Sequence, residues 1–203
     1  MNALIIVDVQ NDFLPGGSLA VPDADTIIPI INKISENFDL VVATQDWHPE
    51  GHSSFASQHQ GKEPFEQIEL NGNAQTLWPD HCVQGSHGAE FDKNLNLKPV
   101  EAIFRKGTNL EIDSYSGFYD NNHEKSTALA DYLRAKQIDE VYICGLAADV
   151  CVYFTALDAL QEDFTTYLIT DATKGLDDQA IAADLDDIKK KGGKLVEAKE
   201  LTE

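Results

Sequence analysis

The sequence predicts an α/β protein, a three-layer α/β/α sandwich on a mostly parallel six-stranded sheet. Three observations carry this. Short runs of apolar and β-branched residues recur along the chain, as expected of strands buried on both faces. Segments with apolar residues at helical spacing separate them, and β-helix-β order favours parallel strands with helices outside. Polar residues capable of chemistry fall where the predicted strands end, the edge at which such sheets bind ligands.

The first predicted strand covers 3–9 (ALIIVDV), with Asp8 interrupting its apolar run. Residues 10–22 form a loop that turns at Gly16 and Gly17. Asp25 is placed to cap a helix with Ile27, Ile31, Ile34 and Phe38 inward, and Pro29 is tolerated near its first turn. The second strand is 40–44. From Asp46 to about Gly88 periodicity vanishes, and five of the six histidines (His48, His52, His59, His81 and His87) lie in this stretch. A long irregular connection in a compact domain is usually functional. A short helix is expected at 89–95, a third strand at 101–105 ending on Lys106, and a second loop at 108–122. A helix follows at 126–136 through Leu129, Tyr132 and Leu133. The fourth strand is 141–144. Asp149 reads as the cap of the next helix, with Val150, Phe154, Leu157 and Leu160 on its buried side. Residues 164–170 and 194–197 are the fifth and sixth strands, flanking a helix at 177–191 with Ile181, Leu185 and Ile188 inward. The last few charged residues are expected to fray. Strand order does not follow from the sequence.

One domain spanning 1–203 is expected, with enough chain for a full core. The net charge of −20, from 35 acidic and 15 basic residues, opposes nucleic acid and anionic membranes as partners and leaves room for a small neutral substrate. Three cysteines without framework spacing suggest a reducing compartment. The apolar start at 3–7 is too short for a signal-peptide core or a membrane span, so a cytoplasmic enzyme is expected. Homo-oligomerisation is compatible with the sequence.

Cys151 falls in the first turn of a helix that starts just after a strand, where free N–H groups and partial positive charge favour thiolate. Cys82 and Cys144 read as small buried hydrophobes. Asp8 is costly inside an apolar strand end unless paired or used. Lys106, ending a strand, supplies the pairing charge: Asp8 takes the thiol proton, while Lys106 favours thiolate and keeps Asp8 charged. Asp46 and His48, at i and i+2 in extended chain, project to one side. With His81 they make a two-histidine, one-carboxylate site suited to iron, zinc or manganese. His52 is left open as an extra ligand or a solvated residue, and His59 and His87 are read as bystanders. If Phe13, Trp78 and Tyr115 meet over the site, they form a flat slot for a ring.

Taken together, ALIIVDVQNDFLPGGSL, VVATQDWHPEGHSSF, LWPDHCVQGSHGAEF, FRKGTN, YSGF and CGLAADVCVYFTALDAL resemble the nicotinamidase/pyrazinamidase branch of the isochorismatase-like cysteine hydrolases. The resemblance implies a parallel six-stranded sheet, a cysteine thioester mechanism and one divalent metal ion (zinc, iron or manganese). It implies Asp8, Lys106 and Cys151 as catalytic residues, and Asp46, His48 and His81 as metal ligands. Ala147 and Cys151 are implied as backbone donors of an oxyanion hole, with a cis peptide at Leu146–Ala147. Phe13, Leu19, Trp78 and Tyr115 are implied as a ring pocket. The expected reaction is hydrolysis of nicotinamide to nicotinate and ammonia in NAD salvage. Within the family the alternative is an amidase for an N-carbamoyl or ureido compound. Outside it, a non-haem iron oxygenase would use the same three ligands but leave Cys151 and Lys106 without a role. A non-enzymatic binding module is the third reading.

Overall fold

The computed structural model describes residues 1–70 and 72–202. Six parallel strands form one sheet: β1 (Asn2–Val7), β2 (Leu40–Asp46), β5 (Val100–Lys106), β6 (Glu140–Gly145), β7 (Thr165–Thr173) and β8 (Lys194–Val196). Their spatial order is β5-β2-β1-β6-β7-β8. Ala3, Leu4, Ile5, Ile6 and Val7 of β1 are fully buried, so alternate side chains feed opposite layers. Leu4 and Ile6 join a cluster with Ile27, Ile31 and Ile34, whereas Ala3, Ile5 and Val7 join Leu129, Leu133, Val152 and Ala156. Each fully buried aliphatic side chain contributes about 1.5–3 kcal/mol of transfer free energy. β1, buried on both faces, lies beside β6 at the centre of the sheet.

The helices are shorter than their sequence patterns. α1 is Ile28–Ile34, with Pro29 in its first turn, preceded by a 3₁₀ turn at Ala24–Ile27. Asp25 lies inside that turn and caps nothing. α2 is Leu129–Ala135, α3 is Tyr153–Gln161 and α4 is Asp178–Lys190. At the start of α4 the Asp177 carboxylate accepts from the N–H groups of Gln179 and Ala180, satisfying two otherwise free donors.

Four local expectations are corrected. Residues 89–95 form no helix; Phe91 pairs instead with Gln10 in an isolated bridge. The loop after β2 contains a two-stranded hairpin, β3 (Gln67–Leu70) and β4 (Asn73–Thr76), whose polar composition hid it. Ala198–Leu201 is held as a 3₁₀ turn by reciprocal Glu197 and Glu200 bonds; Glu203, in the stretch expected to fray, lies outside the described residues. Most consequentially, Asp149 does not cap the helix after β6. That helix opens with a π-helical turn at Ala148–Val152, and the Asp149 carboxylate accepts from the N–H groups of Leu176 and Asp177 at 2.9 Å. The turn rotates α3, so Val152, Thr155, Ala156 and Ala159 face inward while Phe154 is exposed.

Parallel register brings the strand ends to one edge. Val7 lies beside Thr44 and Gly145, and Asp46 beside Lys106. Gly145 has φ +117, and a Cβ there would overlap the Val7 carbonyl, so only glycine lets β6 turn out this close to β1.

Candidate active site

Asp8 follows the last residue of β1 in the left-handed region, φ 48. Aspartate tolerates that conformation better than branched residues do. The turn leaves its carboxylate fully buried among the strand ends. Oδ1 accepts from the Thr44 hydroxyl at 2.7 Å, and Oδ2 lies 2.9 Å from Lys106 Nζ. The same ammonium is 3.3 Å from Cys151 Sγ, 3.1 Å from Asp46 Oδ1 and 2.9 Å from the Ser114 carbonyl oxygen. One buried cation thus joins the thiol to two carboxylates that arrive on different strands.

The electrostatics divide the labour. For Lys106, burial works against the charge. The Asp46 and Asp8 carboxylates outweigh it and hold the ammonium well above its ordinary range. Burial pushes the Asp8 carboxyl up, opposed by Lys106, so this group is suited to carrying a proton. Burial also pushes the Cys151 thiol well up; Lys106 opposes, and Asp8 and Asp46 add to the rise. Enclosure and two nearby carboxylates thus oppose the thiolate that the helix start and Lys106 favour, which gives a base beside the thiol its role.

Beside this group, Asp46 Oδ2 lies 3.0 Å from His48 Nε2 and 3.3 Å from His81 Nε2. His48 Nδ1 faces the Gly107 carbonyl at 3.1 Å and His81 Nδ1 the Pro79 carbonyl at 2.8 Å. A carbonyl only accepts, so both rings donate from Nδ1, and each Nε2 is the nitrogen available to a cation shared with the Asp46 oxygen. Burial opposes ionisation of Asp46, yet His48 and Lys106 hold its carboxyl well below the usual range. Two imidazole lone pairs and a carboxylate oxygen converging within 4.8 Å suit a divalent cation, with backbone carbonyls orienting both rings. Gly107 makes the approach feasible. Its φ is +63, and a Cβ would sit 2.5 Å from His48 Cε1.

A pocket opens onto Cys151, Asp46, His81 and Ala147. All four residues expected to form a ring slot line it: Phe13, Leu19, Trp78 and Tyr115. Trp78 and Tyr115 meet edge to face at 6.1 Å, and Phe13 packs against His81 at 5.6 Å. The Leu146–Ala147 peptide is cis. The Ala148 N–H is taken by the Lys174 carbonyl at 2.7 Å, whereas among the described residues the Ala147 N–H has no backbone acceptor.

Sequence reasoning missed Val21, Asp113, Val150 and Leu176 in the cavity wall. It also missed Gln75 on β4, whose Nε2 lies 3.0 Å from the Tyr115 hydroxyl and 3.2 Å from Asp113 Oδ2. Asp113 stands two residues before Tyr115 in a loop already singled out, a usable signal; Leu176 and Gln75 carried none. Of the remaining histidines, His52 is fully buried against His48, their ring centres 4.4 Å apart. His59 donates to or accepts nothing in the cavity but meets the Ser53 carbonyl at 2.7 Å, and His87 pairs with Glu90 at the surface. Cys82 and Cys144 are buried and unpaired to any disulfide, as read. Among the described residues no helix is long and apolar enough to cross a membrane.

The chain is 53% identical over 175 residues to the nicotinamidase of Acinetobacter baylyi, covering 86% of this chain and 82% of that protein. Among solved structures it matches the nicotinamidase/pyrazinamidase of Acinetobacter baumanii with a TM-score of 0.96 and 49% identity, covering 98% and 97% of the two chains. It also matches the pyrazinamidase of Pyrococcus horikoshii in complex with zinc, with a TM-score of 0.80, 41% identity and coverage of 97% and 98%. Residues 2–200 match the Isochorismatase domain, and the chain belongs to the isochorismatase family.

Proposed function

We infer that this chain, acting as one domain over residues 1–203, is a cytoplasmic nicotinamidase that also accepts pyrazinamide and hydrolyses the carboxamide through a cysteine thioester. The observation that carries the reading is buried Lys106 Nζ in contact with Asp8, Cys151 and Asp46, the last two of which line an aromatic-walled pocket. Relatives at about half identity that bear the name nicotinamidase support the substrate.

In this reading the aromatic ring lies between Phe13 and Trp78, with Leu19 and Tyr115 closing the slot. Asp8 takes the Cys151 proton as Sγ attacks the carboxamide carbon. Lys106 stays protonated and stabilises the thiolate as it forms. The carbonyl oxygen, becoming an oxyanion, accepts hydrogen bonds from the backbone N–H groups of Ala147 and Cys151, usually the largest single contribution to such catalysis. Asp8 returns its proton to the departing amine, leaving the acyl group on Sγ, and then takes a proton from the water that attacks the thioester. Nicotinate and the free thiol result. Asp46, His48 and His81 would hold a divalent ion, zinc, iron or manganese. When bound, that ion supplies an electrophilic anchor that orients ring and water.

An oxygenase would use the three ligands but give Lys106 and Cys151 nothing to do, and an acyclic ureido substrate would leave the aromatic slot unused. The test is ammonia release from nicotinamide, pyrazinamide, benzamide and an N-carbamoyl amino acid by the zinc-, iron- and manganese-loaded protein. Nicotinamide and pyrazinamide should turn over and Cys151→Ala should be inactive. No ammonia from nicotinamide under any loading, or retained turnover in Cys151→Ala, overturns the reading.

A further inference from the structure

Leu176 is an apolar wall of the active-site pocket that comes from an unexpected part of the chain. It lines the pocket with Leu19, Val21 and Val150, beside Cys151. Yet it belongs to residues 174–177, the link between β7 and α4. On the other side of that link lies a second pocket, lined by Ala148, Lys174, Gly175, Asp177 and Leu176 itself. Leu176 is only half-buried. With space on both sides, packing alone does not pin it.

What pins it is Asp149. Oδ1 accepts from the Leu176 N–H and Oδ2 from the Asp177 N–H, both at 2.9 Å. Each carboxylate oxygen thus holds one of two consecutive backbone groups, and hydrogen bonds to a carboxylate are roughly twice as strong as neutral ones. Two backbone bonds flank them. The Ala148 N–H donates to the Lys174 carbonyl at 2.7 Å, and the Lys174 N–H to the Gly145 carbonyl at 3.3 Å. Gly175 lets the segments close, since a Cβ there would lie 2.5 Å from Asp149 Oδ1 and 2.9 Å from Ala148 Cβ. Asp149 and Cys151 share the π-helical turn. The turn that carries the thiol therefore also anchors a wall of the pocket in front of it.

We propose that Leu176 is a specificity-determining residue that limits the size of ring the slot admits, and that Asp149 is the positioning residue that holds it there. The proposal rests on reading this pocket as the slot for an aromatic carboxamide. Asp8, Lys106 and Cys151 act on the carboxamide whatever the ring carries. A ring bearing an added methyl group has to displace the wall, and one methylene in an apolar pocket is worth roughly 10–200-fold in kcat/KM.

The experiment compares kcat/KM for nicotinamide and its ring-methylated derivatives, using zinc-loaded protein. The ratio between two substrates cancels changes in active fraction or thiol reactivity, so a merely structural loss leaves it unmoved. Wild type should prefer nicotinamide over the worst derivative by about 10-fold or more. Leu176→Ala should cut that preference several-fold, chiefly by lowering KM for the methylated substrate. Asp149→Ala should do the same through the loosened link. Asp149→Asn, which keeps one acceptor, should fall between it and wild type; if Asp149→Ala does not fold, this variant and Leu176→Ala carry the test. Combining Asp149→Ala with Leu176→Ala should relax the preference no further than Leu176→Ala alone, because the carboxylate acts on ring size through that side chain. Native-state hydrogen exchange gives a readout besides activity. The Leu176 and Asp177 N–H groups should exchange on the order of 10-fold faster in Asp149→Ala, with those of β1 unchanged. An unaltered preference in Leu176→Ala or in Asp149→Ala overturns the proposal, as do N–H groups at 176 and 177 that stay protected. If the ring-slot reading itself is wrong, the failure looks different: wild type then releases no ammonia from nicotinamide or its derivatives, while the two N–H groups still lose protection in Asp149→Ala.

Discussion

Lys106 Nζ stands 3.3 Å from Cys151 Sγ, although Lys106 ends β5 and Cys151 lies in the turn after β6, with β2 and β1 between those strands. The side chain of Lys106 is fully enclosed, so its charge is not screened by solvent. It is tolerated because Asp8 and Asp46 both face it. Nucleophile, acid and cation site are therefore one electrostatic unit.

Removing that cation should be felt in stability as well as rate. Lys106→Met leaves two buried carboxylates facing each other without a counter-charge. It should cost on the order of 3–5 kcal/mol and abolish turnover. Urea unfolding beside ammonia release checks both. A variant that is inactive but as stable as wild type would mean that Lys106 is not the electrostatic keystone.

Asp8→Asn should separate proton transfer from folding. It keeps shape and can still meet Thr44, but it cannot take a proton. Turnover should fall by about 10²–10⁴-fold. Pre-steady-state measurement should find no acyl-enzyme burst.

Gly107→Ala should act on metal retention. The added Cβ meets His48 Cε1 at 2.5 Å and the backbone has φ +63, so the ring must swing away from Asp46. Zinc content after dialysis against a mild chelator should drop well below that of wild type, while far-ultraviolet circular dichroism stays unchanged.

Gln75→Leu should loosen the ring slot from outside it. Gln75 steadies both the Tyr115 hydroxyl and Asp113. Its loss removes a neutral bond worth about 1 kcal/mol, so KM for nicotinamide should rise several-fold with a smaller change in kcat.

A pH effect is expected far from the site. On α4, burial, with Asp149 and Asp187 nearby, pushes the Asp184 carboxyl up to about 6. Between the ordinary carboxylate value of about 4 and 6 the folded state then binds more protons than the unfolded one. Stability contributed by this group is therefore lost as pH rises through that window. Asp184→Asn should raise stability at pH 7.5 by up to about 1 kcal/mol, a figure discounted for its partial exposure, and do little at pH 4. Thermal unfolding at both pH values decides it.

The chemistry was legible because each group sits where a local rule puts it. Asp8 breaks an apolar strand, Lys106 ends one, Cys151 follows one, and Asp46 and His48 share a side of extended chain. Apolar runs of β-branched residues likewise made the central strands readable, since burial on both faces leaves no other composition available. Local propensity did not disclose the π-helical turn at Ala148–Val152. There Asp149 is claimed by the N–H groups of Leu176 and Asp177, more than twenty residues on, rather than by its own helix. Nor did it disclose the hairpin carrying Gln75, whose two four-residue strands are short and mostly polar.

Residue type and spacing thus determined the fold class and the placing of Asp8, Asp46 and Lys106 at strand ends. Strand order and the partners that meet each buried group were decided only by tertiary structure. Those depend on which carbonyl, N–H or charge lies within about 3 Å, and such neighbours come from segments distant in the chain.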